Sequence, residues 1–108
     1  MAQKMSRSSI IIERNKMLHT TQIHPGQVLG DELAERQITQ SALAHHIGVL
    51  SKTINEICRG KRGISAEMAV KLSLALGATP QFWLNLQKNW ELGRVKRIKI
   101  ARIKPMAA

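Results

Sequence analysis

Residues Gln40–Gly60, QSALAHHIGVLSKTINEICRG, decide the fold. Thr39 precedes them, and its hydroxyl can accept an orphan N–H at a helix start. Leu43 and Ile47 lie one turn apart on the buried face of the helix that follows. Gly48 tolerates the positive φ that ends such a helix. A second helix begins at once, with Leu50, Ile54 and Ile57 on its apolar stripe, and Gly60 stops it. Ala44 falls in the middle of the first helix, facing where the second must cross, and a larger side chain there would push the two apart. The spacing therefore predicts two short helices crossing at a tight angle. The outer face of the second is polar: Ser51, Lys52, Asn55, Glu56 and Arg59. An apolar inner face with a mildly basic outer one suits a helix lying in the major groove of DNA.

Helices are also expected on either side. Pro25 suits a first helical turn, where its missing N–H costs nothing, and Val28, Leu29 and Leu33 carry that helix to about Gln37. His24 helps it start. Ser65 can cap a fourth helix with Glu67 in its first turn. Ala69, Leu72 and Leu76 line its inner face, and Gly77 closes it. Thr79-Pro80 opens a fifth, in which Phe82, Trp83, Leu86 and Trp90 recur at helical spacing to about Gly93. Phe82, Trp83 and Trp90 are the chain's only Phe, Tyr or Trp residues, so this set is read as core rather than as a base-stacking surface, with Trp90 and Leu92 also candidates for a dimer contact. Arg97-Ile98-Lys99-Ile100 alternates basic and apolar, which hints at a strand or at a segment that orders on a partner. The expected architecture is all-α, with five helices.

The 108 residues carry a net charge of +10, which suits a polyanionic partner. The charge is uneven. Residues 94–108 hold Arg94, Lys96, Arg97, Lys99, Arg102 and Lys104 with no acid, and residues 1–18 hold four basic residues against Glu13. Residues 19–93 are nearly neutral. The reading is a domain over 23–93, with its motif at 40–60, between a flexible N-terminal arm (1–22) and a flexible basic tail (94–108). Within the domain, Lys52, Arg59, Lys61 and Arg62 cluster beside the outward helix. The one cysteine, Cys58, excludes an intrachain disulfide and reads as a small hydrophobe. No run reaches the length of a membrane-spanning helix and no secretory signal is visible, so a cytoplasmic protein is expected. His45 and His46 diverge around the helix and no residues complete a metal set with them. No cofactor is expected, and no catalytic constellation is apparent.

The Gln40, Ala44, Gly48, Ile54, Ile57 and Gly60 pattern resembles the helix-turn-helix of the phage lambda repressor and Cro (XRE) family. The resemblance narrows through His24-Pro25-Gly26, Gly60-Lys61-Arg62, Leu76-Gly77 and Thr79-Pro80-Gln81-Phe82-Trp83-Leu84-Asn85-Leu86-Gln87 to the antitoxins called HigA or VapI, and covers about residues 24–93. It implies a five-helix, lambda repressor-like DNA-binding domain, usually dimeric, that represses its own operon at a palindromic operator and neutralises a RelE-like mRNA-cleaving toxin of the HigB type. It also implies roles. Gln40 grips the DNA backbone. Ser51, Lys52, Asn55 and Glu56 read bases. Separately from the resemblance, the basic cluster beside the motif is read as phosphate contact through Thr53, Arg59, Lys61 and Arg62, against the plainer reading of a solvated helix end. Glu56 can accept from a cytosine amino group, but is equally a surface residue or an i,i+4 partner of Lys52. One departure stands out. The branch usually has Ser and then Arg after the Gly-Val of the turn, where this chain has Leu50 and Ser51. The helix cap is then lost, or passes to Ser51. The competing readings are a stand-alone regulator without a toxin, a pure protein-interaction module, and RNA binding. The basic tail is open between DNA, a toxin and no ordered role.

Overall fold

The structure is a computed structural model and describes residues 23–95 and 100–106. Five helices and no strand occur among them: α1 Pro25–Arg36, α2 Gln40–Ile47, α3 Ser51–Cys58, α4 Ala66–Leu76 and α5 Pro80–Gly93. Side chains close four of the five N-termini. His24 Nδ1 accepts from Gly26 N at 2.9 Å, Thr39 Oγ1 from Ala42 N at 3.0 Å, Ser65 Oγ from Met68 N at 3.1 Å and Thr79 Oγ1 from Phe82 N at 3.1 Å. Pro25 and Pro80 occupy first helical turns, where no backbone donor is missed.

The core is aliphatic around one indole. Leu29, Ile54, Ile57, Leu72 and Leu86 are fully buried with Trp83, and each large side chain so buried contributes about 1.5–3 kcal/mol. Phe82 packs partly buried against this cluster. The most extensive helix contacts are α2 with α3, α4 with α5, α1 with α3, α2 with α4, and α1 with α5. Two devices set the spacing. Gly26 lies directly on the end of α3, where an added Cβ would sit 1.7 Å from the Ile57 carbonyl oxygen, so only hydrogen fits. Arg36, at the end of α1, donates to the Leu76 carbonyl at the end of α4.

Two expectations need correction. Leu50 is not on the apolar stripe of α3. It is the N-cap, with φ −75° and ψ 143°, and is 71% exposed. Extended backbone sends successive side chains to opposite sides. Val49 turns inward and packs against the core, and Leu50 turns out. In the alternating segment near the C-terminus, Arg97–Lys99 lie outside the described residues, but Ile100 is helical and its carbonyl accepts from Ile103 N at 3.0 Å. The N-terminal arm also lies outside the described residues.

Candidate nucleic-acid interface

The interface is built on the turn between α2 and α3. Gly48 takes φ +75°, Gly48 N donates to His45 O at 3.3 Å, and Val49 N donates to Ala44 O at 2.9 Å. Those bonds satisfy the last carbonyls of α2 and aim the chain into α3. Ala44 is buried. Ile54 and Ile57 pin α3 to the core from behind. Its other face leaves Ser51, Lys52, Asn55 and Arg59 exposed, and Thr53 and Glu56 half-buried.

Side-chain bonds tie this face to α2. Asn55 Nδ2 donates to Gln40 Oε1 at 3.1 Å, and Ser51 Oγ donates to Ser41 Oγ at 3.3 Å. The expected backbone grip, Gln40, and an expected base reader, Asn55, thus form one unit. Gln40 keeps its amide N–H groups for an anion, and Asn55 keeps its oxygen as an acceptor. Ser41 was missed by sequence reasoning. It is an ordinary polar residue in a first turn, and only the crossing of the helices brings it to Ser51.

Ser51 does not take over the missing cap: no side chain caps α3. Replacing a good N-cap by an aliphatic residue costs about 1 kcal/mol. Ser51 keeps its hydroxyl on the outer face.

The basic loop after α3 is ordered by two contacts. Arg62 holds the Glu56 carboxylate, with Nε at 2.9 Å and Nη2 at 2.7 Å. That hydrogen bond draws the Glu56 carboxyl below its ordinary range; partial burial opposes it, and the charges of Arg62 and then Lys52 add to it. The ion-pair partner of Glu56 is therefore Arg62 in the loop, not Lys52 on the same helix. Gln87, on α5, accepts from Ile64 N at 2.8 Å and donates to Glu91 at 2.9 Å. It holds the Lys61-Arg62-Gly63 loop against α5, a role the sequence offered no way to read. Arg59, Lys61 and Arg62 are all exposed, beside the C-terminal end of the outward helix.

The end of α5 closes over the start of α1. Trp90 meets the His24 ring edge-on, with centroids 5.1 Å apart, and the Arg94 guanidinium lies 5.2 Å above the Trp90 ring. Burial, and then the charge of Arg94, lower the His24 pKa. Burial raises that of Cys58, which packs against the core. His45 and His46 are exposed, and no group of three His, Cys, Asp or Glu side chains among the described residues is placed to hold a metal ion.

Residues 31–83 match the helix-turn-helix family. The chain is similar to virulence-associated protein I of Dichelobacter nodosus, with 38% identity over 78 residues, covering 71% of this chain and 72% of the relative. The chain belongs to the HigA and VapI branch of the helix-turn-helix family. Solved HigA structures share its architecture. The Pseudomonas aeruginosa antitoxin HigA with the higBA promoter is 39% identical, with a TM-score of 0.74 over 81% of this chain and all of that one. A HigA-family addiction module antidote protein from Coxiella burnetii is 30% identical, with a TM-score of 0.72 over 81% of this chain and all of that one. This HigA-type chain thus carries five helices and the turn between α2 and α3, with α3 uncapped.

Proposed function

We propose that this chain is a sequence-specific DNA-binding autorepressor and the antitoxin of a toxin–antitoxin pair, neutralising a RelE-like mRNA-cleaving toxin. The observation that carries the DNA-binding half is the outer face of α3. It presents polar and basic side chains, backed by fully buried Ile54 and Ile57 and locked to α2 by the Gln40–Asn55 bond. A rigid helix with a polar outward face, beside a basic loop, is what major-groove reading requires. The antitoxin half is supported by the HigA relatives, one of them solved with its promoter.

In this reading Gln40, Thr53, Arg59, Lys61 and Arg62 hold phosphates, and Ser51, Lys52, Asn55 and Glu56 face bases. Residues 23–93 are the DNA-binding domain, 1–22 an arm and 94–108 a basic tail. The protein works by binding rather than catalysis, as a homodimer, in the cytoplasm where its operator lies. No helix among the described residues is long and apolar enough to cross a membrane.

The test is binding of the purified chain to the DNA upstream of its own coding region, against scrambled DNA, across a salt series. Strong preference for the upstream duplex is expected. Lys52→Ala should erase most of that preference while leaving scrambled-DNA binding nearly intact. Equal losses on both duplexes would remove Lys52 from base reading. Binding that is weak, salt-sensitive and indifferent to sequence would overturn the repressor reading. Co-purification with the product of the neighbouring gene, and loss of that protein's ribonuclease activity in the complex, tests the antitoxin half; absence of both returns the chain to a stand-alone regulator.

A further inference from the structure

Leu50 is the anomaly of the reading face. The caps of α1, α2, α4 and α5 each accept a backbone N–H; Leu50 leaves the first turn of α3 without that bond. Its side chain gains little from burial in return, being 71% exposed. Packing does not explain it either, because Val49 supplies the inward contact at this turn. Its neighbours on this edge are exposed and polar: Ser51, Lys52 and Ser41, with Ser41 and Ser51 bonded to each other. The other exposed large apolar side chains belong to α4, to the end of α5 and to the C-terminal segment. Leu50 therefore stands as a single apolar side chain at the leading end of the helix assigned to the groove.

The N-terminal residues of a recognition helix are those that meet base edges. The apolar group on the major-groove edge of a base pair is the thymine C5-methyl. We propose that Leu50 is a specificity-determining residue that reads a thymine methyl in each operator half-site. The chain forgoes the cap at the position where an aliphatic side chain reaches the groove. A hydroxyl there would be engaged by the backbone of its own helix and would offer the methyl no comparable surface. This inference rests on the operator-binding reading above and names one base that it recognises.

The experiment uses the full chain and the upstream duplex segment that it protects from cleavage. Each thymine in that segment is replaced in turn by deoxyuracil, which removes only the methyl. Wild type should lose about fourfold in affinity at one position per half-site, the worth of burying one methyl-sized group. Leu50→Ser restores a capping residue and should raise the melting temperature by about 4 °C. It should nevertheless bind the natural duplex more weakly, ignore the deoxyuracil at that position, and bind scrambled DNA as wild type does. A better-folded variant that binds its target worse cannot be explained by lost stability. If Leu50→Ser binds the natural duplex as tightly as wild type, or stays sensitive to the same methyl, the proposal is overturned while the operator reading stands. If wild type itself shows no preference for the upstream duplex, the operator reading fails, and this one with it.

Discussion

Glu56 and Arg62 illustrate how a contact changes what a residue is. Six positions apart, they were separate candidates, one for a base and one for a phosphate. In the folded chain they are an ion pair at 2.7 Å at the edge of the reading face. In the proposed reading Arg62 has two consequences for DNA: it offers a cation to the backbone and neutralises a carboxylate that would repel it. Arg62→Ala should weaken binding to the upstream and scrambled duplexes alike and reduce the salt slope by about one. Adding Glu56→Gln to that variant should recover part of the lost affinity for the scrambled duplex, where no base contact of Glu56 is at stake, because the uncovered carboxylate is gone. Fluorescence anisotropy at several salt concentrations measures both. A loss confined to the upstream duplex would show Arg62 reading sequence instead.

Helix α1 is an element whose start depends on proton occupancy. Its cap is His24, whose Nδ1 must be unprotonated to accept from Gly26 N, and burial with Arg94 nearby disfavours the charged ring. The folded pKa thus lies below the value of about 6.5 kept by an unfolded histidine. As pH falls through 6.5 the unfolded chain takes the proton first, so unfolding is favoured. The contribution is complete above that pH and declines below it, until the folded ring also protonates. The melting temperature should accordingly drop between pH 7 and 5. His24→Asn, which keeps a capping oxygen without a titrating ring, should flatten that part of the profile. Identical slopes for variant and wild type would dissociate the cap from the pH response. The same contact couples elements, because Trp90 of α5 packs on the ring that caps α1.

At the scale of the whole molecule, the proposed reading has one α3 meeting one half-site, and a palindromic operator then calls for two chains with their helices about one DNA turn, roughly 34 Å, apart. Native mass spectrometry of the complex should give two chains per operator duplex. Inserting half a turn of DNA between the half-sites should abolish most of the affinity, since it rotates one half-site to the opposite side of the helix. A complex of one chain per duplex, insensitive to that insertion, would overturn the dimeric reading.

The five helices and their order were legible in the sequence because their signals are local. Caps at Thr39, Ser65 and Thr79, prolines at 25 and 80, glycines at 48 and 77, and a 3.6-residue apolar period each act within a turn or two of chain. The outward face of α3 was legible for the same reason. What tertiary structure alone decided depends on residues distant in sequence: Ser41 against Ser51, Gln40 against Asn55, Gln87 under the basic loop, and Trp90 on His24. Such contacts follow from how the helices cross, which no local spacing encodes. Leu50 falls between the two cases. Its apolar character placed it on the buried stripe, and the extended backbone of the turn, with Val49 facing in, put it outside.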